Sequence, residues 1–152
     1  MSAFTMQSPI GLLTVEEENG AIAAIHFGGV AVCEPVTPLL CQAKQQLTEY
    51  FAGHRRSFNL PLAPHGTPFQ QAAWSALCQI PYGEVRTYAQ QATAIGKPNA
   101  CRAIGMANHC NPIPILIPCH RVIGKGGKLT GYAGGLDTKR FLLTLEKAAF
   151  SE

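Results

Sequence analysis

The pattern Thr-x-x-Gln occurs twice in the second half of this chain, at Thr67 and Gln70 and again at Thr87 and Gln90, and it restricts the fold more than any other feature. A threonine just before a helix accepts a hydrogen bond from the amide three residues on, and the glutamine returns one to the threonine amide. Each occurrence therefore predicts a helix start. The first has Pro68 at the opening helical position and a stripe of Phe69, Ala73 and Leu77 that runs to about Gln79. Ile80-Pro81-Tyr82-Gly83 then turns the chain, and the second helix ends near Gly96. After Lys97-Pro98, Asn99 is placed to cap a third, short helix over residues 100–109. Two short helices across a tight Gly-Lys-Pro turn predict helix-turn-helix geometry, with Arg102 near the N-terminal end of the third helix. Residues 124–127 and 131–135 are glycine-rich and predict hairpin or wing turns, and Asp137 is placed to cap a last helix reaching about Phe150. Trp74, the only tryptophan, is expected to pack within the first of these helices.

The first third has a different grammar. Residues 11–15 and 21–27 have strand composition around an Asn19-Gly20 pair, which predicts a hairpin. Thr37 and Pro38 open a helix whose apolar positions are Leu40, Ala43, Leu47, Tyr50 and Phe51, with Gly53 as its stop. Pro61, Pro64 and Gly66 mark residues 60–66 as a linker, giving expected domains at 1–62 and 66–152.

Residues 85–136 contain no Asp or Glu, yet hold Arg86, Lys97, Arg102, Arg121, Lys125 and Lys128 together with His109 and His120. Such a field suits a polyanion, nucleic acid first, although a solvated basic face has the same composition. No apolar run is long enough for a membrane span. The start of the chain lacks a basic segment and carries Glu16, Glu17 and Glu18, so a cytoplasmic protein with no signal peptide is expected. Cys33, Cys41, Cys78, Cys101 and Cys110 are then reduced thiols of structural or incidental role, and no CxxC or CxxH pair points to a metal.

The sixth cysteine stands in Ile117-Pro118-Cys119-His120-Arg121-Val122. Most cysteines are inert small hydrophobes. Here Asn111-Pro112, Pro114 and Pro118 bracket the apolar residues 113–117 and hold Cys119 in a rigid turn, and positive surroundings favour its thiolate.

Pro118-Cys119-His120-Arg121-Val122 resembles the signature of the O6-alkylguanine-DNA alkyltransferases. The resemblance covers about residues 66–146 and includes Gly66-Thr67-Pro68-Phe69-Gln70, Ile80-Pro81-Tyr82-Gly83, Arg102-Ala103-Ile104-Gly105, Asn111-Pro112, Gly131-Tyr132-Ala133-Gly134-Gly135, and Leu142-Leu143 with Glu146. The N-terminal third is similar only loosely. The resemblance implies an α/β N-terminal domain, a small antiparallel sheet plus helix of ribonuclease-H-like type. It implies after this a mostly α, winged helix-turn-helix-like C-terminal domain for DNA binding and alkyl transfer.

The same resemblance implies roles. Cys119 is the nucleophile, His120 its base through a water, and Glu146 the group that orients His120. Asn111 ties the recognition helix to the active-site turn. Tyr88 helps rotate the nucleotide, and Arg102 fills the place of the extruded guanosine. Tyr132 and the Ala133 amide bond the guanine oxygen, while backbone groups of Cys119 and Val122 read the exocyclic amine. Many family members have Ser in place of Ala133, a departure that removes a hydroxyl but not the amide.

The implied reaction is stoichiometric, irreversible transfer from O6-alkylguanine, with O4-alkylthymine a second candidate, in double-stranded DNA bound through the minor groove. The expected protein is a monomer without cofactor, metal or membrane partner. Two other readings use the same residues: an alkyl-lesion sensor that binds DNA without chemistry, and a Cys-His-Glu hydrolase.

Overall fold

A computed structural model describes residues 2–29 and 37–150. Cys33 lies outside the described residues. Backbone contacts divide the chain into two compact units, Met1–His65 and Gly66–Glu152.

The first unit is an antiparallel meander of β1 (Ser2–Ser8), β2 (Gly11–Glu18) and β3 (Ala21–Phe27) with one helix, α1 (Pro38–Phe51). Asn19 and Gly20 have φ of 53° and 79°, the left-handed pair that a tight turn between twisted strands requires. The predicted hairpin is therefore present. Strand β1 is not evident from the sequence: Ala3, Phe4 and Met6 give too weak an alternation, and its pairing with β2, from Ser2 opposite Glu17 to Ser8 opposite Gly11, supplies its structure. Thr37 caps α1 by accepting from the Leu40 amide (3.1 Å). The helix buries Leu40, Ala43, Leu47 and Tyr50 beside Leu13, Val15, Ile22 and Ile25 of the sheet. It ends as expected at Gly53, where the Gly53 and His54 amides donate to Tyr50 O (3.0 Å) and Glu49 O (2.8 Å). The proline-rich stretch is not a free connector, because Ile22 N donates to Pro61 O (2.8 Å) and Ala63 N to Ile22 O (2.9 Å).

The second unit contains α2 (Pro68–Cys78), β4 (Arg86–Thr87), α3 (Tyr88–Ala94), α4 (Cys101–His109), β5 (Val122–Ile123) and α5 (Leu136–Leu145). Both capping boxes are complete, at Thr67/Gln70 and Thr87/Gln90. Ala73, Ala92, Ile104 and Ala107 form the core of α2, α3 and α4, with Ile104 filling the space between the three alanines. Trp74 packs there as expected, donating to Ala107 O (2.8 Å). Its ring comes so close to Gly66 that a Cβ at that position would lie 2.4 Å from it. Gly96 ends α3 through Gly96 N to Thr93 O (2.9 Å) and Lys97 N to Ala92 O (3.0 Å).

Three local expectations need correction. Ala100, not Asn99, is the N-cap of α4 and no side chain caps it, because the Lys97–Ala100 turn (Ala100 N to Lys97 O, 3.0 Å) leaves Asn99 one residue too early. Gly135, not Asp137, precedes α5, and Asp137 instead pairs with Arg140 inside the first turn (2.7 Å). Helix α5 also stops at Leu145 rather than near Phe150. Lys147 takes φ of 58°, and the Lys147 and Ala148 amides donate to Thr144 O (3.0 Å) and Leu143 O (2.9 Å), a helix stop built without glycine. In the glycine-rich segment, Gly124 N donates to Lys128 O (2.7 Å), while β5 pairs in parallel with β4; no antiparallel wing hairpin occurs among the described residues. No helix among the described residues is long and apolar enough to cross a membrane.

Candidate active site around Cys119

The turn that carries Cys119 is fixed from behind by Asn111. Its side-chain NH₂ donates to Ile117 O (2.8 Å), and its side-chain oxygen accepts from Ile113 N (2.9 Å). Between those two points Ile115 adopts φ of 76°, which a β-branched residue enters only under constraint. The prolines and Asn111 together impose that constraint. Cys119 to Arg121 then form one turn of 3₁₀-helix leading into β5.

Cys119 is one wall of a pocket of about 120 Å³, lined also by Tyr88, Gly105, Asn108, His109, Gly131, Tyr132 and Ala133. Helix α3 supplies Tyr88, α4 supplies the next three, and the loop before α5 supplies the rest. The Tyr88 hydroxyl and Thr130 Oγ1 are 2.9 Å apart, joining α3 to that loop. Beneath the pocket, Gln91 and Asn108 exchange two amide hydrogen bonds (2.9 and 2.8 Å) and Gln91 also donates to Ala73 O (3.1 Å), which locks α3 to α4 and α2.

The two residues after Cys119 belong to a buried charged cluster. His120 Nε2 and Glu146 Oε2 are 2.7 Å apart, with both side chains at 0% exposure. Glu146 caps the C-terminal end of α5, so the short helix described above is what delivers it. The carboxylate also takes Arg121 Nε on Oε1 (2.8 Å) and Arg121 Nη2 on Oε2 (3.1 Å). Arg121 Nη1 donates to Ile80 O (2.7 Å), and the guanidinium stands 5.8 Å from the Tyr82 ring centroid. Lys139 is buried too, with its ammonium on Val122 O (2.6 Å), Thr130 O (2.7 Å) and Gly131 O (3.4 Å).

These surroundings set the protonation states. Burial pushes the Glu146 carboxyl up, but the hydrogen bonds from His120 and Arg121 and the Arg121 charge oppose it, and its pKa stands at about 2. Burial is also the main force keeping His120 below the usual histidine range, against the pull of Glu146. His120 Nε2 therefore donates to the carboxylate, and Nδ1, buried with no partner among the described residues, is left as the acceptor. Burial pushes the Cys119 thiol up to about 11, with Asn111 and Lys139 opposing. Positive surroundings thus do not hold a resting thiolate, contrary to the expectation from composition. The Tyr132 phenol, raised well above its ordinary value by burial, remains a proton donor.

The pocket gathers Cys119, Tyr88, Tyr132 and Ala133 from separate sequence motifs. His120, Glu146 and Asn111 lie behind it, and Val122 is buried with its carbonyl turned to Lys139. Arg102 stands apart, exposed on α4. Of the basic set, Arg121 is interior and Arg86 pairs with Glu84 (3.1 Å), so the exposed cations of residues 85–136 are Lys97, Arg102, Lys125 and Lys128. Sequence reasoning misses Lys139 and the Gln91–Asn108 pair as parts of the site. A lysine in an amphipathic helix reads as solvated, and its burial follows only from the loop that folds over it.

A pocket cysteine followed by a histidine that is buried against a carboxylate has the make-up of a nucleophile, base and orienting group. Residues 68–148 match the family described as 6-O-methylguanine DNA methyltransferase, DNA binding domain, and residues 2–64 match its ribonuclease-like domain. The chain belongs to this methylated-DNA–protein-cysteine methyltransferase family. It is 49% identical over 159 residues to the constitutive methylated-DNA–protein-cysteine methyltransferase of Bacillus subtilis, covering 97% of this chain and 96% of that one. It is 61% identical over 147 residues to the methylated-DNA–protein-cysteine methyltransferase of Methanosarcina acetivorans, covering 92% and 94%. Among solved structures, Mycobacterium tuberculosis OGT in complex with DNA superposes with a TM-score of 0.85 at 44% identity, covering 94% of this chain and 91% of that one.

Proposed function

We propose that this chain repairs DNA by moving an alkyl group from O6 of guanine in a duplex onto Cys119 Sγ, once per molecule. The observation that carries the reading is Cys119 as one wall of a small pocket, followed in the chain by His120, whose ring is buried against Glu146. The thiol rests protonated, so its proton has to leave as attack begins. His120 Nδ1 takes it through a water, and Glu146 stabilises the imidazolium that results. Sulfur then attacks the alkyl carbon in line, a C–S bond forms as the C–O6 bond breaks, and the electron pair goes to the guanine oxygen. Tyr132 OH and the Ala133 amide donate to that oxygen as its charge grows. The thioether has no route back to a thiol, which makes the protein single-use and explains why no cofactor is called for.

The base enters the pocket by leaving the duplex. Tyr88 guides the rotating nucleotide, Arg102 occupies the gap it leaves, and the backbone carbonyls of Cys119 and Val122 read the exocyclic amine. Val122 O already accepts from Lys139 Nζ, and a carbonyl oxygen has a second lone pair for this purpose. Helix α4 lies in the minor groove, with Lys97, Lys125 and Lys128 on phosphates, giving affinity with little sequence preference. The protein acts as a cytoplasmic monomer, and O4-alkylthymine is a second substrate to test. Cys119→Ala should abolish transfer from O6-methylguanine duplex while lesion binding persists; transfer by that variant contradicts the assignment.

A further inference from the structure

We propose that Arg121 is a positioning residue that holds the Glu146–His120 pair in the one protonation state able to start transfer, carboxylate charged and imidazole neutral. The inference rests on the alkyl-transfer reading above and adds to it a residue with no assigned role there.

Three features of the geometry point to Arg121. Glu146 sits at the C-terminal end of α5, where the helix places partial negative charge, so a carboxylate there is in an adverse field. It is also fully removed from water, where an unpaired charge is costly. A bidentate guanidinium answers both, and Arg121 grips the two carboxylate oxygens at 2.8 and 3.1 Å. Arg121 is itself held by Ile80 O at 2.7 Å, so the α2–β4 turn, outside the pocket, fixes where the carboxylate stands.

The chemical consequence concerns His120. A buried carboxylate with no other cation would draw a proton onto the imidazole, and an imidazolium has no lone pair to offer at Nδ1. With Arg121 in place, the Arg–Glu–His group is neutral overall while Nδ1 stays open. The charged groups acting on His120 are Glu146 at the end of α5, Lys139 within α5 and Arg121 from its own turn. Lys139 does not substitute for Arg121, because its three hydrogen bonds go to the carbonyls of Val122, Thr130 and Gly131. Burial, Arg121 and Lys139 all act to keep His120 neutral, and only Arg121 among them also grips the carboxylate.

The test compares wild type, Arg121→Met and Arg121→Lys by two readouts. One is the rate of Cys119 alkylation by free O6-benzylguanine against pH. The other is the ¹⁵N spectrum of His120 across the same pH range. In Arg121→Met the acid limb of the rate profile and the His120 titration should both move up by about one pH unit or more, a tenfold loss on that limb. Arg121→Lys keeps the charge without the fork, so its limb should return towards wild type with a lower maximum. Identical His120 midpoints in wild type and Arg121→Met overturn the proposal. Should Arg121→Met fail to fold, a second neutral variant replaces it. Arg121→Gln then carries the same comparison, with a His120 midpoint equal to wild type overturning the proposal, and imidazolium in the wild type at pH 7 overturns it as well. A wild type that never alkylates Cys119 would instead remove the transfer reading itself, which the rate assay reports separately from the spectrum.

Discussion

The two units solve the problem of filling an interior in opposite ways. Among the described residues, the first unit buries one polar side chain, Thr14, while the second buries Gln91, Asn108, Asn111, His120, Arg121, Lys139 and Glu146. In the first unit the polar side-chain pairs are at or near the surface, such as Glu49 with Arg55 (2.8 Å) and Glu16 with His26 (3.0 Å). In the second, an Arg–Glu–His cluster occupies the centre at a desolvation cost that apolar residues of the same volume avoid. An interior assembled that way is justified by chemistry rather than by stability. The sheet and α1 hold together by apolar contact; the helical unit gives up some of that, and the proposed role of His120 as proton acceptor accounts for it.

The sharpest way to break this comparison is to remove one carboxylate from each unit. Glu146→Ala strands Arg121 in the interior and should destabilise the second unit by about 3–5 kcal/mol. Glu49→Ala in α1, at a partly exposed pair, should change stability by less than about 1 kcal/mol. Urea unfolding measures both, with Trp74 fluorescence reporting on the second unit. Equal effects would mean the interior cluster contributes nothing particular.

Acid should separate the units next. The folded-state pKa of Glu146, about 2, lies below its unfolded value, so its stabilisation is present above about pH 4.3 and is lost as pH falls towards 2. The loss is on the order of 3 kcal/mol and belongs to the second unit, so Trp74 should report unfolding at a higher pH than far-UV signals from the sheet. Two smaller effects concern DNA. Arg102→Ala should slow transfer from duplex about tenfold or more, since the gap left by an extruded base goes unfilled, and leave reaction with free O6-benzylguanine nearly unchanged. Lys128→Ala should lower the slope of log affinity against log salt by about 1, because one fewer phosphate is neutralised, with no effect on the chemistry.

Much of this is legible in the sequence because local signals agree with the tertiary structure where helices begin. Thr37, Thr67 and Thr87 all cap as the sequence predicts, and Asn19-Gly20 turns as expected. Helix ends are less readable when no glycine marks them, as at Lys147, and strand β1 has too little pattern of its own without β2 beside it. In the site, Cys119 stands out by its proline-bracketed turn, whereas Glu146 is picked out only through the family resemblance, its spacing alone leaving it a solvated helix residue. The charge states are the least legible part. A run of basic residues suggests a thiolate, but Arg121 and Lys139 are committed to Glu146 and to backbone carbonyls, and burial decides the state of the thiol.

The central claim is that Cys119 is the alkyl acceptor and is consumed. Intact-protein mass spectrometry after incubation with a duplex containing one O6-methylguanine, followed by peptide mapping, tests it most directly. One methyl per protein, located on Cys119 and not exceeded with excess substrate, is the predicted result. A protein that binds the lesion but gains no mass, or one that carries the methyl on another residue, would contradict it.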